Sequence, residues 1–154
     1  MFGIYSRIRN MNIPIDIQLK LFDFMIAPIL LYDSEIWGFE NTNIIEKVHL
    51  KFCKRILNIK SCTPNFMVYG ELGRFPLEID IKLRMLSFYS RMMKNENKLS
   101  SIMFKLMYGL HRSGVCHFKW IEYVKSIFDS CGQSYIFTDI FLIDFSLYKN
   151  LNSD

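Results

Sequence analysis

Apolar residues recur at helical spacing over most of this chain. Residues 2 to 10 read as the tail of a helix that begins before Met1, with Ile4, Tyr5 and Ile8 on one face and no capping residue ahead of them. Pro14 offers an N1 position for the next helix, in which Ile17, Leu21, Phe24, Met25 and Ile29 share a side. Pro28 removes an amide donor there and is expected to kink or split it. Asn43 and Glu46 have the spacing of a capping box, opening a helix whose apolar side is Ile45, Val48, Phe52, Ile56 and Ile59. Thr63-Pro64 starts a short helix through Met67, Val68 and Leu72, which Gly73 ends in a left-handed position. Pro76 opens the next at once. There Ile79, Leu83, Leu86, Tyr89 and Met93 line one side, Ile81, Met85, Phe88 and Met92 broaden it, and only Arg84, Ser87, Arg91 and Lys94 form a polar strip. So apolar a helix is expected to be the central one.

Two further helices are predicted. Leu99–His111 carries Ile102, Met103, Leu106, Met107 and Leu110, and Phe118–Cys131 carries Trp120, Val124, Ile127 and Phe128, with Gly114 and Gly132 as stops. Residues 134–154 are rich in β-branched and aromatic side chains, but no partner strand appears elsewhere, so a loop followed by a short helix is expected. The pattern predicts a single all-α domain, a helical array of about six to seven helices with no substantial sheet.

Composition adds a question to this picture. At 154 residues the chain is long enough to bury roughly 68–70% of its unfolded surface. It has 51% hydrophobic residues against 22% charged, including 14 Phe, 9 Met and 8 Tyr. Either the core is unusually aromatic or part of this surface rests against another domain, and Trp37 and Trp120 are read as core or domain-contact anchors rather than base-stacking platforms. Cys53, Cys62, Cys116 and Cys131 fit no zinc spacing and read as free thiols in an intracellular, reducing compartment. No cleavable signal is visible, and the longest apolar run, residues 24–32, is too short to span a bilayer, so no membrane partner is expected.

The net charge of +4 is unevenly placed. Most Lys and Arg lie between residues 44 and 94, whereas residues 129–154 hold Asp129, Asp139, Asp144 and Asp154 against Lys149. At 100° per residue, Lys47, Lys51, Lys54 and Arg55 gather opposite the apolar side of their helix. Cations on successive turns can track a phosphate backbone and give salt-dependent, sequence-independent binding. A solvated helix side gives the same pattern. With Arg74 added, these residues form the candidate nucleic-acid contact.

Support for catalysis is slight. No Walker loop, GxGxxG, GxSxG or HExxH occurs, and His49, His111 and His117 are scattered. Cys116-His117 is read as ordinary loop, because neighbouring side chains point apart and a metal needs further ligands. Asp33, Glu35 and Glu40 cluster around the YDSEIWG turn, yet a magnesium site for phosphoryl transfer needs carboxylates fixed by strands. No catalytic residue, metal ligand or cofactor is therefore assigned.

The ordered set NIPIDIQLKLFD, APILLYDSEIWGFEN, IIEKVHLKFCKRIL, CTPNFMVYGELGRFPLEI, IKLRMLSFYSRM and WIEYVKSIFDSCG resembles the region that follows the polymerase core in reverse transcriptases of non-LTR, LINE-type, jockey-like retrotransposons. The resemblance implies that residues 1 to about 40 are similar to part of the thumb and its exit, and that residues 41–133 are like the post-thumb helical segment, followed by the tail 134–154. In that family the thumb holds the template–primer duplex. Its magnesium-binding paired Asp residues, in a YxDD-type turn, would lie upstream of Met1. The chain is thus expected to be a non-catalytic fragment of an RNA-directed DNA polymerase, with RNA–DNA or DNA duplex as one partner and the upstream polymerase domain as another. A docking module against that missing domain is the alternative reading. Where the family usually has Gly in LLYGSEIWG this chain has Asp33, which introduces strain if the turn needs positive φ.

Overall fold

A computed structural model describes residues 13–94 and 98–135. The predicted helix over 2–10 and nearly all of the 134–154 tail lie outside them. The architecture is all-α, and no strand occurs among the described residues. In order come α1 (Ile15–Leu21), a π-helical turn (Phe22–Ile26), α2 (Ala27–Leu30), α3 (Ser34–Trp37), α4 (Thr42–Ile56), α5 (Asn65–Leu72), α6 (Leu77–Lys94), α7 (Leu99–Arg112) and α8 (Lys119–Ser130).

The break around Pro28 is the expected split. Proline lacks the amide hydrogen and its ring crowds the carbonyl four residues back, and the wider π ladder just ahead of α2 takes up the offset. Helix starts differ from the predicted caps. Pro14 and Pro64 are themselves the N-cap residues, each one position ahead of the N1 slot, so Thr63 does not cap α5. Asn43 does not cap α4, which begins at Thr42 behind a left-handed Asn41, and the carboxylate of Glu46 is used elsewhere. Helix ends follow the prediction more closely. Gly73 adopts φ 60°, and the amide of Arg74 reaches back to the Tyr69 carbonyl at 2.9 Å, the six-to-one bond of a Schellman ending. The same bond closes α7 behind Gly114 and α8 behind Gly132. It also closes α4 behind Asn58, a stop the sequence reading missed. Asp33 sits at positive φ, 51°, a backbone position that favours glycine, as the strain reading of that turn required.

The chain forms two compact units, one of residues up to Ser34 with Glu40–Ile81, the other of Glu35–Phe39 with Lys82 onward. In the first, Phe22 is wholly buried and stacks on Phe52 at 4.4 Å and on His49 at 5.2 Å, among Leu31, Ile45, Cys53, Val68, Leu77 and Ile81. In the second, Tyr89 meets Phe104 and Phe128 edge-on, and Phe104 in turn meets Trp120 at 5.7 Å. The Trp120 indole N–H donates to the Glu35 carbonyl at 2.7 Å, which ties the 35–39 turn to helices much later in the chain. Edge-to-face aromatic packing thus sets this core, whereas the first unit relies on stacked rings.

Two predicted apolar faces are corrected. In α6 the buried stripe is Leu77, Ile81, Met85 and Tyr89, four residues apart, while Ile79 and Leu83 are exposed. In α7 the buried residues are Ser101, Phe104 and Tyr108, and Ile102, Met103, Leu106 and Leu110 face outward. Both helices carry apolar residues on two sides, so periodicity alone could not decide which side packs. In α8, Val124 and Ile127 are buried as expected, together with Ile121. Among the described residues no helix is long and apolar enough to cross a membrane.

Candidate nucleic-acid interface

The buried residues of α4 are Ile45, His49, Phe52 and Cys53. The cationic set Lys47, Lys51, Lys54 and Arg55 is that same pattern displaced by two residues, about 200° around the helix. The basic edge is therefore opposite the packed stripe by construction. Lys47, Lys51 and Arg55 are exposed, and Lys54 is half-buried, its ammonium donating to the Ser61 carbonyl at 2.8 Å. Lys54 and Arg55 also lie in the last turn, where the helix dipole favours positive charge. From Lys47 to Arg55 the edge runs about 12 Å, a little over three base-pair rises of a duplex.

What leaves this edge positive is the fate of the one carboxylate on α4. Glu46 is turned inward, its side chain 19% exposed, and its Oε1 accepts from the Tyr69 hydroxyl and lies 3.1 Å from His49 Nδ1. Burial pushes the Glu46 carboxyl up, but the His49 and Tyr69 hydrogen bonds outweigh it and hold the carboxyl below its usual range. Burial pushes the Tyr69 phenol strongly up, and its bond to Glu46 adds to that. A hydrogen-bonded acid within the unit offsets the neighbouring lysines less than an exposed one would at the same edge.

Sequence reading missed His49 and Cys53 as core residues, having assigned the stripe to Val48 and Ile59 instead. Their positions four apart on the buried face were legible, but polar side chains are a poor signal for a core. Burial pushes the Cys53 thiol up to about 11, whereas Cys62, Cys116 and Cys131 are exposed.

Arg74 is placed differently from the α4 cations. Its guanidinium grips the Asp23 carboxylate with both Nη atoms and lies 5.6 Å from the centre of the Phe22 ring. The side chain is only 16% exposed. Phe22 stacks against the buried side of α4, so Arg74 belongs to the side opposite the basic edge.

Glu35 Oε1 stands 3.9 Å from an Arg91 nitrogen. His111 and His117 meet edge-on at 5.3 Å, with the Phe118 amide donating to His111 Nδ1 and His117 beside Glu122. Among the described residues no three His, Cys, Asp or Glu side chains are grouped to hold a metal ion. No family model, curated protein or solved structure matches the chain.

Proposed function

We propose that this chain is the helical segment behind the polymerase core of a non-LTR retrotransposon reverse transcriptase, without polymerase chemistry of its own. In this reading the exposed edge of α4 rests on the phosphate backbone of an RNA–DNA or DNA duplex through Lys47, Lys51 and Arg55, flanked by Lys54. The observation that carries it is the antipodal placement of that edge to the packed stripe, with the only acid of α4 withdrawn into hydrogen bonds. Magnesium belongs to the parent polymerase in this reading and has no ligands assigned here, and the free thiols suit a reducing, intracellular setting.

The test is a titration with a labelled RNA–DNA hybrid. Three neutralised phosphates predict roughly a 40-fold loss of affinity between 50 and 200 mM salt, independent of base sequence. Lys47→Glu/Lys51→Glu should abolish most of that dependence. Affinity indifferent to salt, or unchanged by the double reversal, rules the reading out.

A second reading, docking against an upstream polymerase domain, is favoured by the first unit's exposed Phe24, Ile29, Tyr32, Phe66 and Phe75. Co-elution with an upstream polymerase fragment, lost in Phe24→Asp, would support it over duplex binding.

A further inference from the structure

The connector between α7 and α8, residues 113–118, is anchored at both ends. At its start the Leu110 carbonyl accepts from the amides of Val115 and Cys116, each at 3.2 Å, and from the Ser113 hydroxyl at 3.1 Å. At its end the Phe118 amide donates to His111 Nδ1 at 3.1 Å. Phe118 is the N-cap residue of α8, and its carbonyl accepts from the Ile121 and Glu122 amides in the first turn. The bond to His111 therefore fixes the start of α8 against the end of α7.

A backbone amide can only donate, so His111 Nδ1 accepts with its lone pair and the neutral ring carries its proton on Nε2. A second proton can enter this ring only at Nδ1, where it removes the acceptor and leaves two N–H groups facing each other. The neighbouring imidazole is held the other way. His117 meets His111 edge-on at 5.3 Å, and its Nδ1 lies 3.2 Å from Glu122 Oε1, a carboxylate acceptor, so that nitrogen keeps a proton whether the ring is neutral or charged. Protonation thus retains the His117–Glu122 pair, breaks the His111–Phe118 bond and sets two positive rings against each other. Histidine is the side chain that ordinarily changes charge between about pH 5 and 8.

The groups around the ring leave that response in place. Arg112 follows His111 on α7 and adds positive charge. The Tyr108 phenol one turn back and the Tyr89 phenol of α6 that faces it are both pushed up by burial and stay neutral over this range. The connector contributes Cys116 and His117, and α8 contributes Lys119 and Glu122, whose carboxylate His117 already engages.

We infer that His111 is a pH-sensitive latch between α7 and α8. Its neutral ring holds the start of α8 in place, and in acid the latch opens, freeing residues 113–118 and the first turn of α8 while the buried Val124 and Ile127 keep the rest of that helix in its core. The latch is independent of duplex binding, which concerns α4.

Nuclear magnetic resonance on the full chain tests it. At about pH 7.5 the ring nitrogens of His111 should report the tautomer protonated on Nε2. Between about pH 7.5 and about pH 5 the protection factor of the Phe118 amide should fall at least roughly tenfold, in step with the His111 ring shifts, while those of Val124 and Ile127 fall less than about twofold. His111→Asn places an oxygen acceptor that does not titrate where Nδ1 stood, and should hold the Phe118 protection at both pH values. His117→Asn should leave the fall in place. A neutral His111 protonated on Nδ1, equal Phe118 protection at both pH values in the wild type, or the wild-type fall persisting in His111→Asn overturns the inference. So does a parallel loss at Val124 and Ile127, which would report acid unfolding of the whole unit.

Discussion

α4 and α7 are helices of similar length, each with two distinct faces, and they differ in what the second face is made of. α4 packs Ile45, His49, Phe52 and Cys53 and turns lysines outward; α7 packs Ser101, Phe104 and Tyr108 and turns aliphatic residues outward. In α4 the polar positions rule out all but one orientation, because burying unpaired lysines is far costlier than exposing a valine. In α7 either face could have been buried, and the aromatic one was, since Phe and Tyr bring more area and directional ring contacts per residue than Ile and Leu. In the proposed reading the cationic second face of α4 meets a polyanion. An aliphatic one points toward another apolar surface.

The sharpest way to break this comparison is to truncate one residue on each face of α7. Phe104→Ala should cost about 3–5 kcal/mol in chemical denaturation. Leu106→Ala should cost less than half of that, since it empties no enclosed core position. Equal losses would mean that the outward face is as enclosed as the core. In the first unit Phe22→Ala should match Phe104→Ala, because Phe22 is fully buried between Phe52 and His49 and under Arg74.

Next in size is the Glu46–Tyr69 bond. Tyr69→Phe should destabilise the chain by about 1–3 kcal/mol by leaving a largely enclosed carboxylate short of a donor, and Glu46→Gln in the same background should add little. The pH dependence follows from the two directions. Glu46 is held below its usual range, so its contribution is present above the unfolded carboxyl value of about 4.3 and is lost as pH falls through the lower folded value. Tyr69 is raised, so its contribution is present below the unfolded phenol value of about 10 and is lost as pH climbs beyond it. Stability followed by denaturant midpoint should therefore fall at both extremes, and Tyr69→Phe should soften the alkaline fall. An unaltered alkaline slope in that variant would count against the bond.

Smaller effects probe the surfaces. At neutral pH a thiol reagent should label Cys62, Cys116 and Cys131 and spare Cys53 until the chain is unfolded; four equally fast labels would contradict the packed side of α4. Removing one cation by Lys47→Ala should lower the slope of log affinity against log salt by about 0.9 for duplex, with the fold unchanged by circular dichroism. Smallest of all, Asp33→Gly should stabilise the chain by about 0.5–1 kcal/mol, by relieving a left-handed position that glycine enters freely. A destabilising result would show that the Asp33 side chain contributes more than its backbone costs.

The amino-acid sequence by itself determined the helical class, the approximate helix spans, three of the helix stops and the segregation of lysine on α4. Each rests on local physics: periodicity, proline at helix starts, glycine at left-handed ends, and the cost of burying charge. Tertiary structure decided the rest. It chose Leu77, Ile81, Met85 and Tyr89 over Ile79 and Leu83, put His49 and Cys53 in a core, withdrew Glu46 to Tyr69 twenty-three residues away, and paired Arg74 with Asp23 across fifty-one. These outcomes turn on which neighbouring surface a face meets. A helix with two apolar sides, or a lone acid or arginine, carries no local sign of its partner, because that partner is supplied by contacts distant along the chain.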